Sequence, residues 1–182
     1  MATWAGWLHD LGKYREEFQQ YIRGRRPSSR DTQHSVFGAA WAGRKGLSSA
    51  SFAVLGHHSG LHDFSNWKNA LVDPSLTPLN EADLLMEQLL AEAGATGLPP
   101  LGPPPEWLKP RGKTIAAYAD DLRIRMLFSC LIDADRLDSE RHGQGKEREP
   151  QTFEAPVLFK RINSYVHRKS AGVDPTVVNQ VR

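Results

Sequence analysis

The chain has 182 residues, 40% of them hydrophobic and 24% charged, a balance that excludes a disordered tail or a fibre and suits one globular domain. No apolar run reaches the roughly 18 residues of a membrane span, and the opening MATWAGWLHD has neither a basic leader region nor a small-residue cleavage site, so a cytoplasmic protein with no membrane partner is expected. The single Cys130 excludes an internal disulfide and a cysteine-rich zinc cluster, and a net charge of +2 is too small to identify a nucleic-acid binder.

Helical periodicity predicts an all-α fold. Trp4, Trp7, Leu8 and Leu11 follow the i, i+3, i+4, i+7 spacing of an amphipathic helix, with Gly12 placed to stop it. A second helix is expected over Tyr14 to Arg23, with Gly24 just past its end. The basic loop RGRRPSSRD follows. Val36 to Trp41 and Phe52 to Leu55 read as the cores of two further helices, the first beginning at His34 and the second ending at His57 and His58. The stretch LHDFSNWKNALVDPSLTP is polar, carries turn formers and reads as irregular. Asn80 opens a helix that Gly94 closes. From Gly94 to Gly112 the chain holds six of its twelve prolines, which forbids regular structure and predicts a Pro-rich surface excursion within one domain. A long helix over Thr114 to Leu137 and another over Pro156 to Arg168 complete the pattern, with Cys130 expected in the core of the first.

Five of the seven histidines fall in the first 62 residues. With His9 beside Asp10, His34, His57 beside His58, and Asp133 or Asp135, potential metal ligands recur at or near helix ends. Imidazole and carboxylate donors without thiolate suit divalent Mn, Fe, Co, Ni or Zn. Each piece alone is an ordinary surface or capping residue; the order in which they occur is the signal.

That order, WLHDLGKYREEFQQYI, HSVFGAA, AVLGHHSG and LIDADRLDSE, resembles the HD superfamily of metal-dependent phosphohydrolases, and more narrowly the HD nuclease domain of the type I CRISPR nuclease-helicase. The resemblance implies an HD-domain helical bundle over residues 1–169, with 170–182, which include DPTVVNQVR, starting a linker toward a helicase. It implies two divalent ions, Mn, Fe, Co or Ni, with Mg also accepted. His9 and Asp10 hold them, Asp10 as the bridge; His34, His57 and His58 complete one ion, and an aspartate of the late helix closes the other. The family carries a further histidine on an upstream helix, which the eight residues before His9 lack. The implied substrate is single-stranded DNA. The implied partners are a helicase, in the same polypeptide or a separate chain, and the RNA-guided CRISPR surveillance complex.

Helical geometry bears on the late aspartate. With Leu127 at zero and about 100° per residue, Leu131 falls near 40°, Asp135 at about 80° on the buried face and Asp133 at about 240° at its margin, so Asp135 is the expected ligand. Lys13, one turn past His9, is the candidate to neutralise charge on the scissile phosphate, which places it with Asp10 among the catalytic residues. Ser35 is a candidate phosphate donor, and Arg23, Arg25, Arg26 and Arg30 a patch that tracks a phosphate backbone. Trp67 is expected at the core edge. Two other functions fit the residues: an HD phosphohydrolase acting on nucleotides, and a catalytically silent HD module that binds DNA or a partner protein.

Overall fold

The computed structural model describes residues 2–76, 78–95, 102, 115–145 and 154–170. Helix α1, Ala2–Leu8, buries Ala5 and Leu8 and stacks Trp4 on Trp41 at 5.5 Å between ring centroids. It ends earlier than the apolar spacing predicts. Asp10 leaves helical geometry with φ −104° and ψ 9°, and its carbonyl accepts the amide of Lys13 at 2.8 Å, so Leu11–Tyr14 forms a separate 3-10 turn. Leu11 is still fully buried. The apolar periodicity therefore marks the core side of two elements joined by a bend, and the His-Asp pair sits in the bend.

Helix α2, Glu16–Ile22, is shorter than the expected span because Arg15 is extended, with ψ 140°. Helix α3, Ser35–Arg44, starts immediately after His34, and helix α4, Ser48–Gly56, stops immediately before His57. These two pack against each other and form the centre of the molecule. Both are buried around most of their circumference, as central helices are, with Phe37 and Val54 fully enclosed. Burying a side chain of that size contributes roughly 1.5–3 kcal/mol. At Gly38 a Cβ would stand 1.8 Å from the carbonyl oxygen of Leu8, so the end of α1 rests directly on the backbone of α3.

The segment read as irregular contains helix α5, Phe64–Leu71. Its start is fixed by Asp63, whose carboxylate accepts the Asn66 amide at 2.7 Å, an N-cap hidden among the polar residues. Its inner face is held by Trp67, which stacks on Phe52 at 4.7 Å and donates its indole N–H to Ser51 Oγ at 2.8 Å, the core-edge position expected for it. Ser51 is fully buried and donates in turn to the Ala39 carbonyl at 2.6 Å. Ser51→Ala removes both hydrogen bonds and leaves the half-buried Trp67 indole N–H without its partner. The expected cost is about 2 kcal/mol, a fall of about 4–8 °C in Tm, read by thermal denaturation.

Helix α6, Pro78–Ala95, begins two residues before Asn80, because proline is accommodated in a first helical turn, and it packs across α3. Helix α7, Ile115–Gln144, runs further than the expected Leu137 and packs on α4 and α1 through Leu127 and Leu131. Cys130 is exposed, which corrects the expected core position. It lies about 100° around the helix from the centre of the face marked by Leu127, Phe128 and Leu131.

No strand occurs among the described residues, and the protein is all-α. Residues Met1–Gln144 form one compact unit, and Gly145–Arg182 forms a second that contains helix α8, Ala155–Ser170. The first unit thus ends at Gln144, where a single domain to residue 169 is expected from the sequence. Most of the Pro-rich segment 94–112, and residues 171–182 of the anticipated linker, lie outside the described residues. No helix is long and apolar enough to cross a membrane, among the described residues.

Candidate metal centre

Four segments converge at one end of the α3–α4 pair. The bend after α1 supplies His9 and Asp10, the residue before α3 supplies His34, the turn after α4 supplies His57 and His58, and α7 supplies Asp135. The two imidazoles just past helix ends are oriented in the same way. His9 Nδ1 lies 2.6 Å from the Gly6 carbonyl and His57 Nδ1 lies 2.7 Å from the Val54 carbonyl. Each carbonyl belongs to a last helical turn, which has no intrahelical partner for it. A ring whose Nδ1–H donates to a carbonyl is held as the tautomer with its Nε2 lone pair free, the arrangement used to orient metal-ligating histidines.

The Nε2 atoms of His9 and His34 face Asp10. His9 Nε2 lies 3.2 Å from Asp10 Oδ2, and His34 Nε2 lies 3.4 Å from Asp10 Oδ1, so the two carboxylate oxygens address different histidines. Asp135 Oδ1 is 3.8 Å from His9 Nε2, while Asp133 is exposed and Asp138 is exposed beside His142. At the other end, His34 Nε2 and His58 Nε2 are 3.0 Å apart, and ligand atoms of His34, His57 and His58 all lie within 4.8 Å of one another. Asp10 Oδ1 and His57 Nε2 are buried without a hydrogen-bond partner. Two buried polar atoms without partners in one cluster call for a further partner there.

The residues fit a divalent cation. Two imidazole nitrogens on one ion at about 2.0–2.1 Å each are separated by about 3.0–3.4 Å, the spacing that His34 and His58 adopt. Protonation states agree. Burial pushes the His34 imidazole down to about 4, with His57 and His58 adding to the effect against the pull of Asp10. Burial likewise holds His57 at about 4. Both rings are neutral near pH 7, as ligands must be. For Asp10, burial opposes ionisation but is outweighed by the hydrogen bonds and charges of His9 and Lys13, and the carboxyl is held far below its usual range. For His9, burial is likewise outweighed by Asp10, and the pKa is raised.

These shifts set an acid sensitivity for the metal-free protein. Between about pH 6.5 and 4, His34 and His57 bind protons in the unfolded chain but stay neutral in the folded one, so stability falls as pH falls through that window. His9 acts in the opposite sense, favouring the folded state below its raised pKa, and offsets part of the loss. After allowance for solvent screening, the net loss is expected at about 2 kcal/mol. Urea midpoints at pH 7.5, 5.5 and 4.5 read it, and a midpoint that does not fall would contradict the burial of the two rings.

Lys13 Nζ stands 2.7 Å from Asp10 Oδ2 and is half-exposed, so its charge is held at the rim of the cluster. Ser35 is the first residue of α3 and lines a cleft beside His34. The arginine patch divides. Arg26 pairs with Asp31 at 2.5 Å, Arg30 pairs with Asp73, Arg23 donates to the Gln19 side chain at 3.3 Å, and Arg25 is exposed. Two of the four arginines are thus engaged in ion pairs, one of them with Asp73, which linear sequence does not place beside Arg30.

Gly12 is a contributor that sequence reading assigns only to helix termination. A Cβ at Gly12 would stand 2.3 Å from His34 O and 2.5 Å from His34 Cα, so the 3-10 turn lies against the backbone that carries His34. Phe18 packs edge-on to the His34 ring at 5.0 Å and fixes its plane. The Gly6 and Val54 carbonyls, which orient His9 and His57, are a further contribution, and a histidine directly after a helix end is the sequence signal that points to them. Comparison with known proteins finds no matching family model, no matching curated protein and no matching solved structure.

Proposed function

We propose that the chain is a metal-dependent phosphodiesterase of the HD type that cleaves single-stranded DNA. The observation that carries this reading is the pair of buried open acceptors, Asp10 Oδ1 and His57 Nε2, set among the Nε2 atoms of His34, His58 and His9. His34, His57 and His58 would hold one divalent ion, and His9 and Asp135 a second, with Asp10 offering one oxygen to each. When bound, such ions polarise the phosphodiester and lower the pKa of the attacking water.

The chain's own residues supply the remainder. Asp10 stays ionised and places Oδ2 toward His9 and Oδ1 toward His34. Gly6 and Val54 hold His9 and His57 in the tautomer that points Nε2 inward. Lys13 keeps an ammonium group at the rim, within reach of a phosphate oxygen. The order of motifs supports a strand delivered by a helicase, in the same polypeptide or a separate one, under an RNA-guided CRISPR surveillance complex, with Mn, Fe, Co or Ni as the ions and Mg accepted.

The test is incubation of the chelator-treated protein with single-stranded DNA and each of Mn, Co, Ni and Mg. Cleavage that depends on added metal is the expected result. Intact folding with metal bound and no cleavage by any ion would overturn the nuclease reading in favour of a silent binding module.

A further inference from the structure

A cleft of about 820 Å³ opens beside His34 and His58, between residues 28–36 and α5. Its volume lies in the range of small-molecule and cofactor sites. Its floor is apolar, formed by Val36, Leu55, Leu76 and Ala70. Its walls carry neutral hydrogen-bonding groups, among them Ser29, Gln33, Ser59 and Asn69. Its charged residues, Arg30 and Asp73, pair with each other. Tyr21, 39% exposed, and His62 add aromatic faces.

A phosphate calls for uncompensated positive charge, and this cleft has its one arginine neutralised. An apolar floor, amide side chains able both to donate and to accept, and an aromatic face match a base and sugar. We infer that the cleft is a nucleoside subsite, which holds the unstacked base and sugar of the nucleotide whose phosphate lies at the His-Asp cluster. This rests on the phosphodiesterase reading for the position of the phosphate. It adds that the protein grips the base by stacking on Tyr21 and by hydrogen bonds from Gln33 and Asn69. A strand residue and a free nucleotide present the same base and sugar.

The experiment is calorimetry on the full chain in chelator, with three probes: pentathymidylate, a five-residue abasic strand, and thymidine 5′-monophosphate. Pentathymidylate is expected to bind about tenfold or more tighter than the abasic strand, the scale of one stacked base. Tyr21→Ala and Asn69→Ala, both at exposed positions, are expected to remove most of that difference while leaving circular dichroism and Mn uptake unchanged. Binding of the monophosphate assigns the subsite to free nucleotides as well; binding of the strand alone assigns it to polynucleotide. Equal affinity for the thymidine and abasic strands, or an undiminished difference in both variants, overturns the inference. A separate titration with Mn keeps the two readings apart: base preference without metal uptake defeats the metal centre and leaves the subsite, and metal uptake without base preference does the reverse.

Discussion

On the proposed phosphodiesterase reading, Asp10→Asn is expected to lower metal-dependent DNA cleavage by roughly a thousandfold, since such ions would contribute several kcal/mol of charge stabilisation in the transition state and each 1.36 kcal/mol is a factor of ten. The asparagine keeps the shape of the side chain but has no charge and only one acceptor oxygen, whereas Asp10 addresses His9 with Oδ2 and His34 with Oδ1. Calorimetric metal uptake is therefore expected to fall alongside the rate. Removal of the carboxylate also withdraws the partner that raises the His9 pKa and the one that Lys13 contacts, so His9 is expected to titrate lower in the variant, a shift read by NMR of the metal-free protein. The fold is expected to survive, because Asp10 lies in a bend between α1 and the 3-10 turn and not in the apolar core. Cleavage at the parent rate by a folded Asp10→Asn protein would falsify the assignment of this residue.

The second large effect is expected at a residue with no functional group. Gly12→Ala places a methyl group within 2.3 Å of His34 O and 2.5 Å of His34 Cα, and neither atom can rotate aside as a side chain does. Either the 3-10 turn lifts from α3, which uncovers Leu11, or His34 shifts away from Asp10. Overpacking against backbone of this kind costs about 3 kcal/mol, a fall of roughly 6–12 °C in Tm. Metal uptake is expected to fall more than the stability loss accounts for, because the displaced backbone is the one that carries His34. Thermal denaturation together with a metal titration on the fraction that remains folded separates the two consequences. An alanine variant with parental Tm and parental uptake would show that the turn and α3 do not need so close an approach.

Much of the helical framework was legible because each helix announces itself locally. The wheel drawn from Leu127 and Leu131 separated Asp135, which approaches His9, from Asp133, which is exposed. On that wheel Cys130 falls near 300°, between Leu127 and Asp133, and only the packing of Phe128 in the folded protein turns the buried face away from it. Helix α5 escaped because its N-cap, Asp63, lies in a run of polar residues whose composition resembles a loop, and its apolar contacts, Trp67 on Phe52 and Ser51, are made to a helix earlier in the chain. The bend after Leu8 escaped for the opposite reason: Leu11 keeps the helical spacing and is buried although the helix has ended.

What sequence by itself determined is therefore the all-α class, the approximate course of most helices, and the chemical kinds of the groups near their ends, since periodicity and capping act over a few residues and need no knowledge of partners. Which atoms meet was decided only in three dimensions. The Nε2 atoms of His9 and His57 point inward because carbonyls at Gly6 and Val54 take the other ring nitrogen, and burial keeps His34 and His57 neutral. Arg30 loses its free charge because Asp73, distant in sequence, lies beside it. Hydrogen-bond geometry, desolvation and charge pairing depend on separations in space, and chain order does not encode those separations one residue at a time.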